Sequence, residues 1–415
     1  MKQYIKINEC RLCKSNNLKE ILNLGRSPIG NDLLKKNDLK RKINKFPLAV
    51  NQCKKCGHHQ LSVSINNSIL YKKNYTYLTG TSEVFKKYLK NYSIQICDKL
   101  NLNKNDLVID IGCNDGTLLE YFKKYKKCKV LGIDPSKKPT ELAKSRQINV
   151  LNDFFTFQLS MKIKKKKLFP KLITSHNTFA HVEDLNDFFR GIDNICYKNT
   201  TVVIEIGYWL KVVQNNWYDT IYHEHHDFHS LYPLLQFFKK YSFNIIDFKI
   251  TEPQGGSLML ILKKMNNFKI YKKIKKQVDI EKNIGLYKIP FYKKIKNNLQ
   301  KSKDKINILL NNYHKNNKII CAYGSPTKSV TLLSYIKLNK NIIKNIYEDN
   351  ILKCKLYNPY MKIPIIHSSN ILNDNPDVIL ILSWNFAKSI IKKVKKKYDK
   401  KIIFVVPLPE PYIIQ

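Results

Sequence analysis

The chain has 415 residues and a formal net charge of +42 at neutral pH. This length predicts two or three domains, each with enough apolar residues to bury a core. The lysine excess is spread over every segment instead of being gathered into one stripe, which argues against a dedicated nucleic-acid surface, so we expect no nucleic-acid partner.

The apolar runs of the sequence are short. The longest, 378–384 and 402–406, have the length of strands and fall well below the roughly 18 to 20 residues that span a bilayer. The first residues lack the apolar stretch of a signal peptide. We therefore expect a cytoplasmic protein with no membrane partner, in which the ten cysteines are thiols or metal ligands and not disulfides.

Two C-x-x-C pairs mark the N-terminal region, Cys10 with Cys13 and Cys53 with Cys56. Such pairs supply the four thiolates of a tetrahedral structural zinc, and a closed site of this kind has no open position for catalysis. The 39 residues between the pairs predict a small fold built around the metal. Residues 1–70 are therefore predicted to form a zinc-binding module, called the zinc module below.

The next region opens with an amphipathic run that predicts a helix from near Glu83, which Ser82 can cap. A predicted strand, 106–110, then runs into a turn with two glycines. Glycine in a strand-to-helix turn lets the backbone approach a nucleotide closely, and the carboxylate at the end of the following strand can accept both ribose hydroxyls. This D-x-G-x-x-x-G turn with a spaced acid resembles the first two motifs of class I S-adenosylmethionine (SAM) methyltransferases. The predicted cofactor-binding residues are Asp110, Gly112, Asn114, Gly116, Asp134, Pro135 and Asn177.

The pattern of apolar runs predicts seven strands with helices between them, an α/β arrangement. We expect residues 71–265 to form the doubly wound, seven-stranded sheet of a class I SAM methyltransferase. Ligands of open α/β sheets lie beyond the carboxyl ends of the strands, so three loops should border one cleft. The predicted strands are 106–110, 130–133, 148–151, 168–175, 201–206, 243–250 and 257–262, and the loops are 112–116, 175–181 and the one that follows residue 206.

A second, smaller α/β unit is predicted at the C-terminus. Residues 264–317 have a lysine-rich helical pattern and are interpreted as a connector, so the third domain comprises 266–415. Its strands are predicted to begin at 319, 342, 378 and 402. The turn after the first of them contains Gly324 and Lys328, and a helix N-terminus of this composition suits an anionic phosphate.

Residues 217–230, the histidine-rich segment, contain four of the ten histidines together with a glutamate. A catalytic metal site needs three protein ligands and an open position, and the H-E-x-x-H pattern is absent because Asp227 stands four residues after His223. A general base needs one imidazole oriented by a neighbouring carboxylate, which Glu224 or Asp227 would supply. A polar surface loop is the third interpretation, and we expect it for His223, His226 and His229.

The order of motifs resembles that of the sugar C-methyltransferases that act on nucleotide-linked 4-keto-deoxysugars, including the C-3 methyltransferases of deoxysugar pathways. The resemblance covers nearly the whole chain, and the string D-T-I-Y-H-E-H is its most specific part. Besides the two C-x-x-C pairs it rests on Asp110-Ile-Gly-Cys-Asn-Asp-Gly-Thr-Leu-Leu119, Asn177-Thr-Phe-Ala-His-Val182, Tyr218-Asp-Thr-Ile-Tyr-His-Glu-His225, Gly255-Gly-Ser-Leu258, Tyr323-Gly-Ser-Pro-Thr-Lys328, Trp384-Asn-Phe-Ala387 and Phe404-Val-Val-Pro-Leu-Pro-Glu410.

This resemblance implies SAM and a structural zinc as cofactors and a nucleotide-diphosphate sugar as substrate. It implies that His225 is the general base that removes the proton beside the keto group, with Glu224, Tyr222, His181 and Tyr77 in support. The third domain is expected to hold the diphosphate through Gly324, Lys328 and Lys353.

Two competing functions fit parts of the same sequence. A zinc-containing, SAM-dependent RNA methyltransferase would account for the basic charge and the zinc knuckles, but an N-P-P-Y-like motif is absent after the fourth strand, where the chain reads Ser175-His-Asn-Thr178. A SAM-fold binding protein without activity is the other, and the presence of both His225 and Asp134 argues against it.

Overall fold

Four β-sheets organise the parts of the chain that the computed structural model describes, which are residues 3–70, 78–251 and 256–415. In the zinc module, β2, β3 and β4 pair antiparallel, and β1 pairs with β5. The elements of this module are β1 (Tyr4–Lys6), β2 (Leu18–Ser27), β3 (Phe46–Cys53), β4 (His59–Leu61), β5 (Val63–Ile65) and α1 (Asn67–Leu70).

The four cysteines of the two C-x-x-C pairs come together in this module. The Sγ atoms of Cys10 and Cys56 lie 3.6 Å apart, as do those of Cys13 and Cys53. All four sulfurs lie within 4.8 Å of one another. Four thiolates bound to one zinc at about 2.3 Å would be spaced by about 3.8 Å. The cluster therefore fits a closed, structural Zn²⁺ site.

The central sheet has the strand order β12-β13-β10-β9-β6-β7-β8. All neighbours are parallel except β13, which is antiparallel to both β10 and β12. This confirms the predicted class I methyltransferase sheet and its seven strands. The strands are β6 (Leu107–Ile111), β7 (Lys129–Ile133), β8 (Val150–Leu151), β9 (Pro170–His176), β10 (Thr201–Gly207), β12 (Phe243–Thr251) and β13 (Ser257–Lys264).

Helices flank the central sheet, and the first of them begins where the sequence predicts. The Ser82 hydroxyl accepts the Phe85 backbone N–H and caps this helix, which confirms the predicted start. The helices are α2 (Glu83–Lys99), α3 (Thr117–Lys126), α4 (Lys137–Ser145), α5 (Phe157–Lys165), α6 (Leu185–Ile195), α7 (Trp209–Gln214) and α8 (Leu231–Lys239).

A short strand of the histidine-rich segment, β11 (Asp227–Phe228), joins the sheet of the zinc module. It pairs antiparallel with β4, so the sheet order is β11-β4-β3-β2. The expectation of a polar surface loop is therefore wrong: His223, His226 and His229 are only 2%, 0% and 1% exposed. The physical reason is that the segment packs between the zinc module and the central region, with His223 against Phe46 and His229 against Phe179.

The C-terminal region begins with two helices that match the predicted connector, followed by a sheet of order β16-β15-β14-β17-β18-β19. The strand predicted to begin at 342 begins at Ile346, and β16 and β19 were not predicted. The elements are α9 (Lys272–Asn283), α10 (Ile289–Lys315), β14 (Ile320–Tyr323), α11 (Thr327–Ile336), β15 (Ile346–Glu348), β16 (Ile365–His367), α12 (Ile371–Asp374), β17 (Val378–Ile381), α13 (Ala387–Lys397), β18 (Ile403–Val406) and β19 (Tyr412–Ile414).

One hydrophobic core runs through all three regions, with Leu48, Leu234 and Leu380 as members from each in turn. The Tyr292 side chain of α10 is buried in this core, and its hydroxyl group is hydrogen-bonded there. The hydroxyl oxygen lies 2.7 Å from both His59 Nε2 and the Leu286 carbonyl oxygen, and it accepts from Trp209 Nε1. The zinc module, the central sheet and the connector are thus joined by packing. In the described ranges, every helix is too short or too polar to cross a membrane.

We expect about one zinc ion per chain in the purified protein, and loss of that ion in Cys10→Ser because three thiolates do not complete the site. Metal content is measured by mass spectrometry and folding by thermal unfolding. Cys196→Ser, at a half-buried cysteine outside the cluster, is the control and should keep its zinc. A wild-type protein without zinc, or a Cys10→Ser variant that retains zinc and the wild-type Tm, would contradict the assignment.

Tyr292→Phe should lower the free energy of unfolding by about 1–3 kcal/mol, since it leaves the buried polar groups around it without their partner. The expected observation is a lower Tm with an unchanged zinc content. Tyr271→Phe is the matched control, because among the described residues the Tyr271 hydroxyl has one recorded hydrogen bond, to a weak acceptor, the Met265 sulfur, at 3.8 Å. Equal Tm values for the two variants would refute the role given to Tyr292.

Candidate functional site

A cavity of about 1620 Å³ opens at the carboxyl ends of the central strands. Each region of the chain contributes to its wall: Asn31 from the zinc module, Asp110 and His225 from the central region, and Lys353 from the C-terminal region. The three loops predicted to border one cleft all reach it. A site of this size and composition can hold a cofactor and a second, larger ligand side by side.

The cofactor end of the cavity is formed by the turn between β6 and α3. Gly112 has a φ of +83°, and a Cβ atom there would lie 1.9 Å from the Thr178 hydroxyl oxygen, so no side chain fits. The Asp134 carboxylate accepts the backbone N–H groups of Asn114 at 3.0 Å and Ser136 at 2.8 Å. Six predicted cofactor residues line the cavity: Asp110, Gly112, Asn114, Asp134, Pro135 and Asn177.

Gly116, the seventh, is not among the lining residues. It precedes α3 with a φ of +74°, and a Cβ atom there would lie 2.9 Å from the Ala143 Cβ of α4. Gly116 thus allows two helices to pack closely and lies behind the cavity wall.

Asp110 gives an independent indication of what this end of the cavity binds. Its Oδ1 atom is buried and has no hydrogen-bond partner among the described residues. Burial raises the pKa of this carboxyl group to about 7. A buried carboxyl oxygen without a partner, beside a glycine turn that lets a ligand approach the backbone, fits a cofactor that carries an ammonium group, as SAM does.

His225 is fixed by hydrogen bonds at both ring nitrogens. Nδ1 lies 2.9 Å from the Thr220 carbonyl oxygen, and Nε2 lies 2.7 Å from the Tyr222 hydroxyl. A carbonyl oxygen only accepts, so Nδ1 carries the proton and Nε2 has the lone pair that receives the tyrosine hydrogen. Burial, followed by the nearby His181, holds the pKa of His225 well below its ordinary value. The imidazole is therefore neutral at pH 7.

The expected orientation of His225 by a carboxylate is wrong. The Glu224 carboxylate instead accepts from Asn31 Nδ2 at 2.8 and 3.0 Å. The Asp227 carboxylate binds Arg11 and His58. A peptide carbonyl, that of Thr220, takes the orienting role, because adjacent side chains of a tight turn point in different directions.

Asp227 connects the histidine-rich segment to both C-x-x-C pairs through hydrogen bonds with Arg11 and His58. Arg11 lies between zinc ligands Cys10 and Cys13, and its Nε atom is 2.9 and 3.0 Å from the two carboxylate oxygens. His58, just after the second knuckle, contributes Nε2 at 2.8 Å. Although burial acts to raise the pKa of Asp227, Arg11 and His58 hold it well below its usual range. The buried carboxylate is thus ionised and paired.

Asp219 ties the other end of the segment to the C-terminal region. Its Oδ2 atom accepts from Trp384 Nε1 at 2.6 Å. Lys328 Nζ lies 3.9 Å from the same oxygen and 3.9 Å from the centre of a Trp384 ring. Lys328 lines the cavity as expected, but its ammonium group faces these partners.

The remaining predicted side chains also reach the cavity where they are described. His181 lies edge-on to His225 at 4.8 Å, and burial lowers its pKa to about 4. Lys353 Nζ donates to the Ser325 carbonyl oxygen at 2.7 Å, and Gly324 has a φ of +90°. Tyr77 lies outside the described residues.

Sequence reasoning missed Arg11 and Asn31 and assigned no role to Asp219. Arg11 stands inside a C-x-x-C pair and Asn31 follows Pro28 and Gly30, so each is a polar residue at a tight turn. Such a position is a signal for a polar contact. The partners, however, are nearly two hundred or more residues away, and no spacing along the chain identifies them.

Models of three protein families match consecutive parts of the chain. They are a putative zinc-binding domain over residues 10–71, a methyltransferase domain over 85–247 and a C-methyltransferase C-terminal domain over 252–409. Among curated proteins, the C-methyltransferase NovU of Streptomyces niveus is 25% identical over 409 residues, which cover 98% of this chain and 97% of NovU.

Solved structures match smaller parts of the chain. The magnesium protoporphyrin IX methyltransferase of Synechocystis PCC 6803, with bound SAM, is 14% identical with a TM-score of 0.33, covering 43% of this chain and 79% of its own. The geranyl diphosphate C-methyltransferase of Streptomyces coelicolor A3(2) is 10% identical with a TM-score of 0.34, and the match covers 45% of this chain and 84% of that enzyme.

The fold and the matches along the chain agree with each other. The four-cysteine cluster lies in the segment that matches the putative zinc-binding domain, and β6 to β10 lie in the segment that matches the methyltransferase domain. Because the three models follow one another and NovU aligns over almost the full length, the chain belongs to the SAM-dependent C-methyltransferases that carry an N-terminal zinc-binding domain.

Proposed function

We propose that this enzyme removes the proton beside the keto group of a nucleotide-linked 4-keto-deoxysugar and methylates that carbon, C-3, with His225 as the general base. The observation that carries the proposal is the tautomer of His225. With its proton held at Nδ1 by the Thr220 carbonyl group, Nε2 is left as the acceptor, on the wall of the same cavity as the cofactor turn.

The chemistry requires such an acceptor. Carbon becomes nucleophilic only when the proton beside a carbonyl group is removed and the electron pair passes into an enolate. Nε2 of the neutral imidazole takes that proton, and the Nδ1–H bond to Thr220 supports the positive charge that develops. A positioned base contributes on the order of 10² to 10⁴ in rate. When bound, SAM supplies the methyl group to which the enolate carbon forms its new bond.

A donor is also needed for the negative charge on the enolate oxygen. The Tyr222 hydroxyl lies 2.7 Å from His225 Nε2, beside the atom that takes the proton. When the sugar binds, this hydroxyl can turn from the imidazole to the keto oxygen, which frees the Nε2 lone pair for the substrate proton and places the O–H group on the oxygen where the enolate charge develops. We propose Tyr222 for this role, with the neutral His181 next to it.

The nucleotide half of the substrate is assigned to the C-terminal region. The turn that contains Gly324 leads into α11, whose second residue is Lys328 and whose first N–H groups carry partial positive charge. Lys353 adds a cation on the same wall of the cavity. The diphosphate of the sugar nucleotide is proposed to lie between them, with the sugar directed towards Glu224 and His225.

The reaction is tested by solvent exchange. In deuterated water without SAM, the wild type should exchange the C-3 proton of a nucleotide-linked 4-keto-deoxysugar, and with SAM it should methylate C-3. His225→Asn should lose exchange by on the order of 10²-fold or more while it still binds SAM. His314→Asn, at an exposed histidine, is the control. Methylation of RNA and of none of a panel of such sugars, or exchange that survives in His225→Asn, would refute the proposal.

The pH dependence should report Glu224 and not His225. Burial raises the pKa of Glu224 to about 7, with Asn31 and Lys353 acting against it, so its carboxylate is lost as the pH falls through that value. The pKa of His225 lies well below 6.5, so His225 stays a base over this range. We expect kcat/KM for the sugar, measured at saturating SAM, to fall below about pH 7 in the wild type.

Glu224→Gln should abolish the fall of kcat/KM below about pH 7, and its kcat/KM above that pH should be lower than that of the wild type. Saturating SAM is required because Asp110, whose pKa is also about 7, lies at the cofactor end of the cavity. An unchanged limb in Glu224→Gln would show that another group titrates.

A further inference from the structure

We propose that Asn31 of the zinc module is a positioning residue that aligns Glu224 with the nucleotide-binding turn of the C-terminal region. This inference rests on the proposed function, because it takes Glu224 to contact the sugar and Thr327, the first residue of α11, to lie next to the turn that receives the nucleotide. Asn31 would act through Glu224 and would take no part in the proton transfer itself.

The contacts of Asn31 use both ends of its amide. Nδ2 donates to the two carboxylate oxygens of Glu224 at 2.8 and 3.0 Å, and Oδ1 accepts from the Thr327 hydroxyl at 2.7 Å. An amide is the smallest side chain that offers a donor and an acceptor in fixed relative positions. One residue therefore links all three regions of the chain, and it does so on the wall of the cavity.

The backbone at Gly30, just before Asn31, packs against Thr327. A Cβ atom on Gly30 would lie 2.5 Å from the Thr327 carbonyl oxygen and 2.6 Å from the Thr327 Cγ2 atom. Only glycine permits this approach. The position of the Asn31 amide is thus set by main-chain packing and not by its own hydrogen bonds alone.

Glu224 depends on this donor because of where it lies. It is 3% exposed, and a buried carboxylate needs hydrogen-bond donors or a countercharge to stay ionised in one place. The charge of Lys353 also acts on this carboxylate. Asn31 provides both hydrogen bonds to the carboxylate oxygens that the structure records, so without Asn31 the carboxylate loses the contacts that fix its direction.

A double-mutant cycle tests whether Asn31 acts through Glu224. Asn31→Ala should lower kcat/KM for the nucleotide sugar by about 10-fold or more, the loss of a hydrogen bond to a charged group, while the Kd for SAM stays within about two-fold of wild type. In a Glu224→Ala background the same change should have less than about a two-fold effect. Thr327→Val, which keeps the Asn31–Glu224 bond, should give a smaller loss, chiefly in KM.

The chain offers a matched control in Asn23. Its Nδ2 atom also donates to both oxygens of a glutamate, Glu20, at 3.2 and 3.3 Å, but on the exposed face of the zinc module. Asn23→Ala should leave kcat/KM unchanged. Wild-type activity in Asn31→Ala, or losses that multiply fully in the double variant, would overturn the inference.

Failure of the proposed function gives a different result. If the wild type neither exchanges the C-3 proton of the sugar nor methylates it, the proposed function is wrong. The role of Asn31 in aligning Glu224 is then judged from amide hydrogen exchange of the protein itself. Asn31→Ala should raise deuterium uptake in residues 218–228 relative to wild type and to Asn23→Ala. Equal uptake in the three proteins would overturn the positioning role of Asn31 whatever the substrate is.

Discussion

Two buried carboxylates hold the histidine-rich segment, and the site depends on them. Asp219 is paired with Trp384 and Lys328 of the C-terminal region, and Asp227 with Arg11 and His58 of the zinc module. A buried charge is tolerated only when it is paired, so both ends of the segment are bound to their neighbours. The general-base candidate, between the two carboxylates, takes its position from regions that contribute nothing to the cofactor turn.

This arrangement explains how three regions form the wall of the same cavity. Separating any two of them would expose part of a continuous hydrophobic core and leave a buried charge without its partner, which costs about 3–5 kcal/mol for each broken pair. The four cysteines of the zinc site do not line the cavity, but Arg11 and His58 stand beside them, and the placement of these two side chains follows from the cluster.

Local features of the sequence were predictable and long-range ones were not. Strand alternation, glycine turns and C-x-x-C spacing are set by residues close together in the chain, so the seven strands, the cysteine cluster and the helix start at Ser82 were foreseen. The strands β16 and β19, of three residues each, are too short for a periodic signal. The burial of His226 and the partner of Glu224 arise from contacts across the fold, and adjacency in sequence suggested a carboxylate for His225 where a peptide carbonyl group orients it.

The pairing of β11 with β4 bears on how such proteins can be recombined. Because Asp227 and Phe228 complete the sheet of the zinc module, the boundary of that module in space differs from its boundary along the chain. A chimera made by exchanging the first 70 residues with those of a relative would join a foreign edge to a native strand and separate Asp227 from the Arg11 it evolved with. Sequence changes in the module and in the histidine-rich segment should therefore be inherited as a set.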